Sequence, residues 1–188
     1  ESYEPYCDAH HLRPSTTKIN STRSNKDFGE VLNATPDAYG NKTNNVLFEP
    51  RDEVKGDIAR MMFYMETRYG SNTKYNLKLV NSQTTSASDL NGRFGNLETL
   101  IKWHYEDPVS KEEIYRNNVI FDNYQHNRNP YIDHPEYVDY VYPSKYAGTT
   151  KPVEPSKPTP DPTPSEPDSS LKLDAVSYTH LRAHETLS

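Results

Sequence analysis

Asp8-Ala9-His10-His11-Leu12-Arg13-Pro14, followed at short offsets by Asn20, Arg23 and Asn25, sets two imidazoles, a carboxylate, neutral amides and two guanidinium groups in one short segment. An ordinary apolar core has little use for that mixture. It suits a hard cation held next to a phosphate, because amide oxygens suit Mg²⁺ or Ca²⁺ and Mg²⁺ takes only one or two protein ligands besides water. A short helix is expected around Lys18 to Ser24, which puts Asn20 and Arg23 on one face. The guanidinium would then stand beside the metal ligand as a phosphate clamp. His10 and His11 are neighbours on an extended stretch, so their side chains point to opposite sides and at most one faces a given site.

Working outward, the chain divides by composition. Residues 1–147 carry the helical patterns and the Gly, Asn and Pro punctuation of a globular domain. Residues 148–170 bring Pro152, Pro155, Pro158, Pro160, Pro162, Pro164 and Pro167 among Ser, Thr and Asp, the composition of an extended polyproline linker to a further domain. Residues 171–188 are expected to form a disordered tail, and 176–186 match a translated sequencing adapter, so the i,i+4 pair His180 and His184 is not taken as a metal site. The net charge of −6 over 188 residues argues against a protein that coats nucleic acid through bulk charge, but not against a nuclease with a local basic cleft. No stretch approaches the roughly 20 apolar residues of a membrane span. Cys7 is the single cysteine and is expected to be a partly buried small hydrophobe.

The clearest helix runs from Asp52 to Tyr69, with Val54, Ile58, Met61, Met62, Met65 and Tyr69 on one face and Gly70 where a C-cap belongs. A second covers about Leu97 to His104. A third opens on a capping box, Ser110 with Glu113, and continues towards Gln125. Asn45-Val46-Leu47-Phe48 is the clearest strand. The class is α+β, mainly α.

These residues carry a family resemblance. The first segment, with Phe28-Gly29-Glu30, is similar to a motif of the bacterial endonuclease I family: secreted or periplasmic, largely non-specific nucleases of the His-Me finger (ββα-metal) type. Two further stretches agree in order: Lys55-Gly56-Asp57-Ile58-Ala59-Arg60-Met61-Met62-Phe63-Tyr64-Met65, and Trp103-His104 leading through Asp107-Pro108, Glu113 and Arg116-Asn117 to Gln125-His126-Asn127-Arg128-Asn129-Pro130-Tyr131. The resemblance implies a Mg²⁺ cofactor (Ca²⁺ or Mn²⁺ as alternates) on Asn20, supporting roles beside the site for Asp8, His10 and His11, and phosphate contacts from Arg13, Arg23, Arg60 and Arg128. It implies hydrolysis of DNA or RNA phosphodiesters to 5′-phosphate products by a monomeric, secreted or periplasmic enzyme.

The family's general-base histidine, preceded by a metal-binding glutamate, has no match here. His10 lies ten positions before Asn20, too close for the hairpin strand and loop of a ββα unit, since strands of about 5–6 residues already use that span. The base is therefore expected upstream of Glu1 and the fragment is expected to be inactive. Plainer readings stand beside the functional ones. Arg60 and Asp57 pair structurally as readily as Arg60 meets phosphate, and Gln125, Asn127, Arg128 and Asn129 brace a loop more readily than they touch DNA. The alternative function is a non-catalytic extracellular nucleic-acid-binding module on the same scaffold, and a weaker one is a zinc hydrolase around His10 and His11.

Overall fold

The computed structural model describes residues 4–81, 92–144 and 177–178, and its organising element is helix α2, Lys55–Tyr69. The helix expected from Asp52 begins as a 3-10 turn, Asp52–Val54, and becomes α-helical at Lys55. It does not bury a single stripe. Met61, Met62, Phe63, Tyr64 and Met65 are consecutive and all buried, because α2 runs through the domain with α3, α5 and β5 packed around it. Periodicity picks out one face; the others are closed by Arg60 and Tyr64, whose polar ends find partners inside. Gly70 is not a left-handed cap either: its φ is −65° and its N–H donates to the Glu66 carbonyl at 2.7 Å. Glycine is needed there for close approach, since a Cβ would lie 2.5 Å from that carbonyl oxygen.

Around α2 stand α1 (Thr17–Arg23), α3 (Leu97–Glu106), α4 (Lys111–Ile120), α5 (Pro130–Asp133) and α6 (Tyr137–Val141). The capping box of α4 forms as the sequence predicts, Ser110 Oγ accepting from the Glu113 N–H and Glu113 Oε2 from the Ser110 N–H, both at 3.1 Å. Beyond Ile120 the helix widens into a π-turn, Phe121–Gln125, ended by His126 at φ 54°. That wider turn swings Gln125 into the interior while Phe121 to Tyr124 stay exposed. Trp103 on α3 is fully buried and anchors a core with Phe28, Phe48, Phe63, Leu100, Tyr131 and Val138.

The strands are short. β2 (Asp27–Phe28), β4 (Leu47–Glu49) and β3 (Lys42–Thr43) form one sheet in the order β2-β4-β3, with β2 parallel and β3 antiparallel to β4. β4 starts later than its apolar run because the Asn44 side chain accepts from the Val46 and Leu47 N–H groups and holds the entry in a turn. β5 (Lys78–Leu79) pairs in parallel with β6 (Arg93–Phe94), and β1 (Pro14–Ser15) pairs antiparallel with β7 (Ser177–Tyr178). Cys7 is exposed, not part of the core, because it sits in a 3-10 turn at the surface with its thiol donating to the Glu4 carbonyl. The linker 148–170 lies outside the described residues, as do 171–176 and 179–188 with His180 and His184. Among the described residues no helix is long and apolar enough to cross a membrane.

Candidate active site

The turn Asp8–Arg13 is held at every joint. Asp8 has no exposed surface, and its Oδ1 accepts from the His10 N–H and from Gln125 Nε2, both at 2.9 Å. Its Oδ2 accepts from the hydroxyls of Tyr64 and Tyr69, both at 2.7 Å, with Arg68 Nε 3.2 Å away. Gln125 closes the loop by accepting the Ala9 N–H at 2.8 Å, and Arg116 Nη2 donates to the carbonyls of Ala9 and Leu12, both at 2.7 Å. His10 donates from Nε2 to the Asn127 carbonyl at 3.0 Å and lies against the Tyr64 ring; burial, ahead of other influences, lowers its pKa and keeps it neutral. Asp8, through both carboxylate oxygens, and His10, through Nε2, thus brace the turn from inside the protein. His11 is buried too.

From this turn the chain passes through β1 to Thr16, whose Oγ1 caps α1 by accepting from the Ile19 N–H. Asn20 sits in the middle of α1, partly exposed, and among the described residues its side-chain amide makes no hydrogen bond. Its oxygen is available as a single hard ligand. No group of three His, Cys, Asp or Glu that could hold a metal occurs among the described residues, so nothing there supports a zinc site at His10 and His11.

Comparison with known proteins decides the family. The family model for endonuclease I matches residues 1–136. The chain belongs to the endonuclease I family. It is 46% identical over 138 residues to an extracellular ribonuclease of Bacillus amyloliquefaciens, covering 73% of this chain and 47% of that protein. An extracellular ribonuclease of Bacillus subtilis (strain 168) is 43% identical over 139 residues, 74% of this chain and 48% of its own length. An extracellular deoxyribonuclease of Aeromonas hydrophila is 29% identical over 132 residues, 67% and 48% respectively. The chain spans about half the length of the curated relatives it matches.

Within this endonuclease I domain the four arginines expected at phosphate separate into two classes. Arg60 has no exposed surface: Nε and Nη2 form a fork with Glu113 at 2.7 and 2.5 Å, and Nη1 donates to the Asp107 carbonyl at 2.9 Å. Its ion pair is structural, as the plainer reading held, but the main partner is Glu113; Asp57 is 3.7 Å away. Arg23 is likewise buried, its guanidinium 4.6 Å from the centre of the Phe28 ring, with burial lowering its pKa to about 10. Both guanidinium groups are thus enclosed by protein, unlike the two that follow. Arg13 and Arg128 keep about a third of their side chains exposed, although Arg128 is held by Asp133 and Asn118. Gln125, Asn127 and Asn129 brace loops, Asn129 bonding to Asn117 and to the Arg60 carbonyl.

Sequence reasoning missed Arg116, which sits in a quoted motif but carries no signal of its own there. It also missed the carboxyl cluster beside Arg60. Burial, and then the neighbouring Glu113 carboxylate, pushes Asp57 up to about 7. His104, 2% exposed, is pushed down to about 4 by burial and then by Arg60; its Nε2 donates to the Pro135 carbonyl and its Nδ1 faces Arg60. A histidine held neutral in the native state stabilises it above the unfolded pKa of about 6.5, and that contribution is lost as pH falls towards about 4, on the order of 3 kcal/mol in all. Asp57 works in the opposite sense, its contribution fading as pH rises from about 4 to 7. We expect His104→Gln, which keeps a donor for Pro135, to flatten the acid limb of stability in urea melts between about pH 4 and 6.5. An unchanged acid limb would remove His104 as its cause.

Proposed function

We propose that this domain belongs to a divalent-metal-dependent, largely sequence-non-specific endonuclease that hydrolyses phosphodiester bonds of DNA or RNA to 5′-phosphate products. The observation that carries the reading is Asn20: a partly exposed helix amide, uncommitted among the described residues, in a domain whose relatives are named as nucleases. In this reading β1 and α1 are the second strand and the helix of a His-Me finger. Asn20 would hold Mg²⁺ (Ca²⁺ or Mn²⁺ as alternates), and the bound ion would supply positive charge to stabilise the charge that develops in phosphodiester hydrolysis. Arg13 and Arg128 position the strand through its phosphates, which carry no base sequence and so give little specificity. The general-base histidine and its glutamate come from upstream sequence. In support, three of the described histidines, His10, His11 and His104, are buried away from solvent, His126 bonds to the Phe121 carbonyl, and His134 pairs with Glu136. The 188-residue chain alone is then inactive, and the complete protein acts outside the cell as a monomer, with 148–170 leading to a further domain.

The test joins the chain to the upstream half of the Bacillus amyloliquefaciens relative and follows plasmid and RNA cleavage. We expect cleavage that EDTA abolishes, none from the 188-residue chain, and a Mg²⁺ requirement raised about tenfold or more by Asn20→Ala, a loss of about 1.4 kcal/mol of metal binding. A joined protein that binds nucleic acid but leaves it intact would replace this reading with that of a binding module.

A further inference from the structure

Two arginines of this fold, Arg60 and Arg128, each have their own carboxylate in fork geometry, Glu113 and Asp133. Arg13 and Arg116 do not. Both lie near Asp57, which is 3.5 Å from Arg13 Nη2 and within electrostatic range of Arg116, so two cations share one carboxylate. Arg13 turns Nε to the thioether of Met61 at 3.4 Å, a weak acceptor. Arg116 spends Nη2 on the Ala9 and Leu12 carbonyls, and its other N–H groups have no partner among the described residues. Those two bonds fix the guanidinium plane in advance, and its nearness to Arg13 lowers its pKa after burial does.

We propose that Arg13 and Arg116 form a subsite for a backbone phosphodiester of the nucleic-acid strand, with Asp57 as the internal counter-ion that the phosphate displaces. The subsite rests on the nuclease reading for its choice of polyanion. Two half-buried guanidinium groups held together repel, and the two non-bridging oxygens of a phosphodiester can accept from the planar forks of both. The groups around Asp57 are Arg13 ahead of β1, Arg60 on its own helix, Glu113 and Arg116 on α4, and Asp107 after α3, whose carboxylate accepts the Asp57 N–H. Burial and Glu113 favour its protonated form near neutrality, so the internal competitor weakens as pH falls and phosphate binding strengthens.

The measurement is fluorescence anisotropy of a labelled DNA duplex of roughly 20 base pairs with the 188-residue chain, titrated with salt and pH. Arg13→Gln is expected to weaken binding about tenfold at low salt and reduce the salt slope by about one. Asp57→Asn, which preserves the shape of the side chain, is expected to tighten binding several-fold near pH 8, with the difference gone near pH 5.5. Arg116 is left intact because it also holds the turn. An unchanged salt slope in Arg13→Gln, no effect of Asp57→Asn near pH 8, or no binding by the parent chain at low salt would each overturn the subsite. Cleavage by the joined protein alongside any of those results would leave the nuclease reading standing without it. The expected binding pattern in a joined protein that never cuts would do the reverse.

Discussion

Glu113→Ala is expected to cost about 3–5 kcal/mol of folding stability, the range for breaking a buried ion pair by removing one partner. Glu113 is 1% exposed and Arg60 0%, so the deletion strands a guanidinium inside the protein with the Asp107 carbonyl as its main remaining acceptor. The change also removes one half of the α4 capping box, the bond from the Ser110 N–H, which adds about 1 kcal/mol. Against a typical total of about 5–15 kcal/mol, much of the population would unfold at physiological temperature. The cause is checked by the double variant. Arg60→Met removes the stranded charge, so Arg60→Met with Glu113→Ala should be more stable than Glu113→Ala alone, a coupling that urea-melt midpoints of the four species report. A double variant as unstable as the sum of the singles would show that Glu113 acts through packing and capping, not through charge.

The parts of this fold legible in the sequence are those whose signals are local. The α4 capping box needs only Ser110 and Glu113, and α1, α2 and α3 stand close to their expected ranges. What escaped is non-local. The burial of α2 on every side depends on partners up to about seventy residues away in sequence, such as Asn129 bonding to the Arg60 carbonyl. The short strands carry no alternating pattern long enough to read, because pairs of two residues leave no period to detect. At the site, the sequence placed Asn20 and Arg23 on one short helix, and both lie on α1. The burial of Arg23 and Arg60 was not legible: a guanidinium reads as a surface group unless its inner partner, Phe28 or Glu113, is known. Arg116 was illegible because its role is to grip the backbone of another segment, and carbonyls have no sequence signature.

Asp8→Ala is expected to be comparably severe, about 3–5 kcal/mol, but for a different reason and with a local signature. Asp8 accepts four hydrogen bonds from groups on three separate stretches: the His10 N–H of its own turn, the Tyr64 and Tyr69 hydroxyls on α2, and Gln125 at the end of the π-turn. Alanine leaves those donors and Arg68 without their shared acceptor, and each buried donor left unpaired costs about 1–3 kcal/mol before any water enters. Asp8→Asn keeps one acceptor oxygen and about the same volume, while its NH2 can donate to a tyrosine hydroxyl, so about half the loss should be recovered. Amide hydrogen exchange separates the two ways this can show. If Asp8 ties the turn to the core, the His10 amide loses protection in Asp8→Ala by far more than the amides of Met62 or Leu100, because the turn opens while α2 and α3 remain folded. If all three lose protection equally, Asp8 is a keystone of the whole domain. In that case the turn that precedes β1 and Asn20 is held no more specifically than the rest of the core.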